Sequence, residues 1–388
     1  MMRFMLLLLF MSLSLMTLSW GQVIPAAQRA ELYLPYLKGK RVALVVNHSS
    51  RVGDRHLVDY LLHKGIKVVK IFAPEHGFRG SADAGSHIKN SRDSKTKLPI
   101  ISLYGKHKKP SKKDLSGVDI LLFDIQDVGV RFYTYLSTLH FVMESASKYG
   151  KPLILLDRPN PNAHYIDGPI LHRKYRSFVG LDPVPLVYGM TIGEYALMLR
   201  GEGWIESAKR LRLKVIPLLG YSHRTPYHLP IKPSPNLPND RAIALYPSLA
   251  FFEGTTFSAG RGTPKQFQLY GDPRYSNKSF SFTPKPRAGA RHPKHQGKRC
   301  YGVDLSTRSL QSIRREKRIN LSYLMDAYKH YPNKKAFFLK NNFIDKLAGS
   351  SQLRQQILGG KSEAQIRASW QKDLQKFKRV REKYLLYR

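Results

Sequence analysis

The chain of 388 residues carries 65 Lys and Arg against 27 Asp and Glu, a formal net charge of +38. Apolar residues at 42% and aromatics at 11% supply packed cores and exclude a disordered chain, and at about 150 residues per domain the length gives about two domains. The single cysteine, Cys300, excludes an internal disulfide and a multi-cysteine metal site.

The N-terminus, MMRFMLLLLFMSLSLMTLSWGQ, joins Arg3 to an apolar run from Phe4 to Leu18. Small residues Ser19 and Gly21 then stand before Gln22 as in a cleavage site, so residues 1–21 read as a secretory leader. The alternative, an uncleaved anchor, is disfavoured because the run falls short of the roughly 20 residues a span needs. The leader makes the expected location exported, periplasmic or secreted. It also weighs against nucleic acid as the partner behind the positive charge, leaving anionic wall or membrane surfaces.

From Arg41 onward short apolar runs alternate with helix-like stretches. The runs are RVALVV from Arg41, IKVVKIF from Ile66, LPIISL from Leu98, VDILLFD from Val118 and PLILLD from Pro152. They are rich in Val, Ile and Leu, as buried parallel strands are. Helical spacing is expected over His56 to His63 and over Phe132 to Lys148. This order predicts an α/β fold built on a doubly wound parallel sheet. A further strand, LKVIPL, is expected from Leu213, before the Pro-rich segment PSPNLPND at Pro233. Lys285 to Arg318 holds eleven Lys and Arg against Asp304 and Glu316. A final helix is expected after Ser362, with Ile366, Trp370, Leu374, Phe377, Val380 and Tyr384 on one packing face.

In an open parallel sheet ligands bind at the carboxyl ends of the strands. Five successive runs end in polar or aromatic clusters. These are Asn47 and His48; Glu75, His76 and Arg79; Tyr104; Asp124, Asp127, Arg131 and Tyr133; and Asp157, Arg158 and Asn160. Ordinary capping and turn roles are the bland alternative for each Asp and Asn. Glu75, between Pro74 and His76-Gly77, is the leading candidate for general-acid work, with a plain surface turn as its alternative. Glu194 falls early in a helix, where a carboxylate also suits the N-terminal dipole. Glu253 stands beside Gly-rich turns and Arg261, and guanidinium there can grip an anion. Dinucleotide, phosphate-loop, H-E-x-x-H and G-x-S-x-G signatures are absent. No cofactor or metal is expected; no spacing argues for a metal shared by His48, Glu75, His76 and Asp127.

The segments VVNHSSRV, FAPEHGFRG, LPIISLYG, FDIQDVGVRFYTY, LDRPNPN, DGPIL, VYGMTIGEYA, PSPNLP, LYPSLAFFEGT, GRGTPKQFQ and CYGVDL run in order from about Val45 to Leu305. Together the chain resembles the NamZ-type exo-β-N-acetylmuramidases of bacterial peptidoglycan turnover. The resemblance implies a Rossmann-like catalytic domain over residues 22–238 and a smaller α+β auxiliary domain over 239–388, with the active site in the cleft between them. It implies hydrolytic release of N-acetylmuramic acid from non-reducing ends of peptidoglycan saccharides. On the matching segments it implies cleft glutamates as catalysts, with Glu75 as general acid. The second carboxylate is expected at Glu253 rather than Glu194, because Glu253 lies past the domain boundary and can face Glu75. Asn47, His48, His76, Arg79, Asp124, Asp127, Arg131, Tyr133, Asn160, Glu194 and Arg261 are the expected substrate-binding residues. One of Arg79, Arg131 and Arg261 is expected to hold the muramic carboxylate. Two rival readings are a non-catalytic glycan-binding protein using the same cleft and a charge-driven nucleic-acid binder.

Overall fold

The computed structural model describes residues 22–78 and 90–388, so the expected leader and Arg79 lie outside the described residues. The main sheet has seven strands. They are β1 (Val42–Val46), β2 (Val68–Ala73), β3 (Ser91–Arg92), β4 (Pro99–Ser102), β5 (Ile120–Asp124), β6 (Leu153–Leu156) and β7 (Leu213–Ile216). Their spatial order is β3-β4-β2-β1-β5-β6-β7, all parallel except the edge pair β3 and β4. The chain leaves β1 toward β2 on one side and later returns to β5 on the other. That reversal opens a crevice at the strands' carboxyl ends, where ligands of such sheets bind.

Strand periodicity splits the interior into two cores. Val42, Leu44 and Val46 of β1, with Ile120, Leu122, Ile154 and Leu156, face helix α1 (Leu57–His63) and the N-terminal turns. Ala43, Val45, Leu121, Phe123, Leu153 and Leu155 face helices α2 (Tyr135–Lys148) and α3 (Ile192–Gly201). This second core runs on without a break into the C-terminal region, through Ile243 and Leu249 of helix α4 (Asp240–Leu249) to Phe257, Leu324 and Phe377. The C-terminal region has its own antiparallel sheet, β8 (Leu269–Asp272), β9 (Ser281–Phe282) and β10 (Cys300–Asp304), in the order β8-β10-β9. Stacked aromatics fill it, with Phe252 and Tyr270 ring centroids 4.5 Å apart.

Two helix expectations shift. The helix expected from Phe132 starts at Tyr135, because the chain from Ile125 to Thr134 first turns through the crevice. The single final helix is two, Glu363–Ala368 and α6 (Gln371–Glu382), broken at Ser369-Trp370. Ser362 caps the first with a reciprocal box to Gln365, as its sequence position requires. A short helix α5 (Phe343–Ala348) precedes them and packs on the turn after α4.

Candidate active site

A cavity of about 580 Å³ opens where the carboxyl ends of β2, β4 and β5 meet α4 and the turn that follows it. Glu75, His76, Tyr104, Lys108, Tyr133, Thr134 and Tyr135 line it from the parallel-sheet side; Asn236, Tyr246, Glu253, Arg261, Phe267 and Phe343 line it from the other.

The Glu75 turn is tightly built. The Gly77 amide donates to the Pro74 carbonyl at 3.0 Å, and His76 takes a left-handed φ of 68°. A non-glycine residue there costs about 1 kcal/mol, which the surrounding packing must hold. Phe78 anchors the exit of the turn edge-on against His56, with centroids 4.8 Å apart. Glu75 is 9% exposed, and its Oε2 accepts the Thr134 hydroxyl at 2.6 Å. It is thus a turn glutamate that packing turns inward.

Glu253 is reached differently. The sequence sets it beside Gly-rich turns, where a loop position is expected; it lies on the 3₁₀ turn Ala250–Gly254 that continues α4. Gly254 is needed there, because a Cβ would come within 2.6 Å of the Ile344 backbone nitrogen of α5. The Glu253 side chain is 28% exposed and its Oε1 accepts from Arg261 at 3.1 Å. Arg261 also donates to the Gly289 carbonyl at 3.3 Å. Beneath this turn Lys294 is half-buried, and its Nζ donates to the carbonyls of Phe252, Thr255 and Phe257. Burial pushes the Lys294 ammonium down to about 8, against the favourable charge of Glu253.

Tyr246 of α4 lines the cavity together with the two glutamates. Burial first, then Glu253 and Glu75, push its phenol well above the usual value, so it stays neutral. Tyr133 packs edge-on to Tyr135 at 4.8 Å and to Tyr246 at 6.1 Å, and its hydroxyl donates to the Pro233 carbonyl at 2.8 Å.

Several expected binding residues are placed away from the cavity wall. Asn47 is wholly buried, and its Oδ1 accepts the Ser49 amide and hydroxyl, closing the turn after β1. The His48 ring is 2.9 Å from the Lys232 carbonyl, and burial first lowers its pKa. Asp124 is spent on a buried bidentate pair with Arg158. Asp127 accepts the Gly129 amide at 2.6 Å and the Tyr188 hydroxyl; burial raises it to about 6 behind the tyrosine wall. Asn160 donates to the Met190 carbonyl at 2.7 Å and fills the space a side chain at Gly129 would need.

Arg131 is a staple. It is 1% exposed and donates to the carbonyls of Pro169, Val184 and Leu347, the last in α5 of the C-terminal region. Burial pushes it down to about 9. Glu194 closes the capping box of α3 with Thr191. Its other oxygen accepts the Leu386 and Tyr387 amides, pinning the chain end. Both side chains are therefore engaged by the fold, which removes them from the cavity wall.

Sequence reasoning overlooked Tyr246, Thr134, Asn236, Phe178 and Lys108. Tyr246 reads as core in an apolar helix, and Lys108 reads as one member of a solvated basic run. Among the described residues no group of three or more His, Cys, Asp and Glu converges on a metal-sized site.

Comparisons with known proteins agree over nearly the whole chain. Residues 42–241 match the family model described as exo-beta-N-acetylmuramidase NamZ, N-terminal, and residues 244–387 its C-terminal counterpart. A curated relative from Bacillus subtilis (strain 168), peptidoglycan beta-N-acetylmuramidase NamZ, is 40% identical over 373 residues, covering 92% of this chain and 89% of that one. A crystal structure of a DUF1343 family protein from Bacteroides fragilis superimposes with a TM-score of 0.88 at 47% identity, covering 95% of this chain and 99% of that one. A second from the same organism gives 0.79 at 27% identity, covering 94% and 99%.

Proposed function

The chain belongs to the NamZ family of exo-β-N-acetylmuramidases, and on that footing we propose that Glu75 and Glu253 carry out its chemistry across the cavity. The protein is a glycoside hydrolase that releases N-acetylmuramic acid from the non-reducing ends of peptidoglycan fragments. Such cleavage needs one carboxylic acid to protonate the leaving oxygen and a second group to meet the oxocarbenium-like centre or its water. One observation carries the assignment: two carboxylates from opposite walls line one cavity, and the charge of both reaches the neutral Tyr246 phenol that lines it with them.

Glu75 is the general acid. It is the more enclosed of the pair, and the Thr134 hydroxyl on Oε2 fixes its rotamer. Glu253 serves the opposite face, aimed by Arg261. His76, Tyr133 and Asn236 complete the wall that grips the sugar.

The leader expected over residues 1–21 places this work outside the cytoplasm, in the periplasm or beyond. The excess positive charge, including the exposed Arg315, Lys317 and Arg318, draws the enzyme toward anionic wall or membrane surfaces. The test is mass spectrometry of products from a disaccharide with muramic acid at its non-reducing end. Free N-acetylmuramic acid with the residual sugar is the expected result. Binding of the disaccharide without cleavage would leave the glycan-binding reading in its place.

A further inference from the structure

N-acetylmuramic acid differs from N-acetylglucosamine by a 3-O-lactyl group, a methyl and a carboxylate on one carbon. A site that selects it needs a cation beside a small apolar plane. Arg131 is sealed among carbonyls and Arg261 is engaged by Glu253. Resting on the assignment of this cavity to the muramic sugar, we propose that Lys108 and Phe178 read the lactyl group, Lys108 its carboxylate and Phe178 its methyl.

The loop after β4 singles out Lys108 from its neighbours. His107 is 2.9 Å from Asp114, and Lys109 donates to Glu144 at 2.7 Å; both turn away to acids of the scaffold. Lys108 faces the cavity, half-buried, and among the described residues no carboxylate pairs with it. Its Nζ lies 5.0 Å from the centroid of the Phe178 ring, which also lines the cavity. That contact positions the ammonium without neutralising it. The ring itself is held from two sides. Tyr104 meets it edge-on at 5.7 Å, and Phe141 lies nearly parallel to it at 6.4 Å and 9°. A rigid apolar plane and an unneutralised cation are thus presented together, on the wall that also carries Glu75. A carboxylate arriving there gains a charge-assisted hydrogen bond in a partly enclosed site.

The experiment measures binding and turnover separately. Calorimetric affinity of the full-length enzyme is taken for N-acetylmuramic acid and for N-acetylglucosamine, alongside steady-state kinetics on a chromogenic β-N-acetylmuramide. Lys108→Met is expected to weaken N-acetylmuramic acid binding about 10–100-fold, the worth of one charge-assisted hydrogen bond. N-acetylglucosamine binding should not move, the muramide KM should rise more than kcat falls, and Lys108→Arg should restore most of the loss. Phe178→Leu should give a smaller loss of the same sign. Lys108→Gln repeats the test should the methionine variant fold poorly by circular dichroism. Retention of the muramic preference in Lys108→Met or Lys108→Gln would overturn the assignment, as would its loss in Arg79→Ala alone. Because binding is scored apart from cleavage, a wild type that binds but does not cleave refutes the hydrolytic roles of Glu75 and Glu253 while still deciding Lys108.

Discussion

The two walls of the cavity are built by different means. The parallel-sheet wall presents side chains from strand ends, where the backbone is locked on both sides by neighbouring strands. Glu75 is enclosed there and held by Thr134. The opposite wall presents Glu253 from a 3₁₀ turn, more exposed, and steadied by Arg261 above and Lys294 below. Enclosure suits a residue that must carry a proton to a leaving group. Partial exposure suits a residue that must meet water or a developing positive charge. The contrast teaches that one fold can support two carboxylates in different ways, one enclosed and one part-exposed, as the proposed division of work requires.

The largest expected effect falls on the sheet wall. Glu75→Gln should lower kcat on a chromogenic muramide about 10³–10⁴-fold, the upper part of the range for general-acid catalysis, with an unchanged melting temperature. Turnover near wild type would remove the contrast altogether. Glu253→Gln should cost less, about 10²-fold in kcat, because a more exposed site leaves water partly able to substitute. Equal losses in the two variants would show that exposure does not divide their roles.

The walls are also joined, and the joint can be broken. Arg131→Met should destabilise the protein by about 2 kcal/mol in urea unfolding, since three buried carbonyls lose their donor. The two regions share one core, so the expected transition is single. A second transition in this variant would show that Arg131 is what couples them.

The smallest effect is a pH limb. Burial favours the neutral amine of Lys294, so its charge is lost as pH rises through about 8. The turn carrying Glu253 then loses a cation beneath it. Wild-type kcat should fall severalfold above that pH, and Lys294→Arg, charged throughout, should flatten the limb. A limb that persists unchanged in Lys294→Arg belongs to another group.

The α/β architecture was legible because buried parallel strands are short, continuous apolar runs. Val42–Val46 and Ile120–Asp124 have no exposed residue to disguise them. Glu75 was legible because a glutamate after such a run stands at the end of the sheet where ligands bind. The same logic selected Asp124, Asp127, Arg131 and Asn160 without distinguishing them. Position along the chain says that a side chain is near the strand end, not which way it turns. Arg158, Tyr188, Leu347 and Met190 claim these four, and they lie between 30 and 216 residues away in sequence. Lys108 was hidden for the converse reason. Its neighbours' pairing with Asp114 and Glu144 is what leaves it facing the cavity.

The sequence by itself therefore determined the sheet, the family and the two glutamates worth testing. Apolar periodicity and residue order are local properties and survive in one dimension. The tertiary structure alone decided which polar groups at the strand ends are spent on the fold and which are left for a ligand. That sorting depends on partners distant in the chain, because burying a polar group demands a hydrogen bond wherever the fold can supply one.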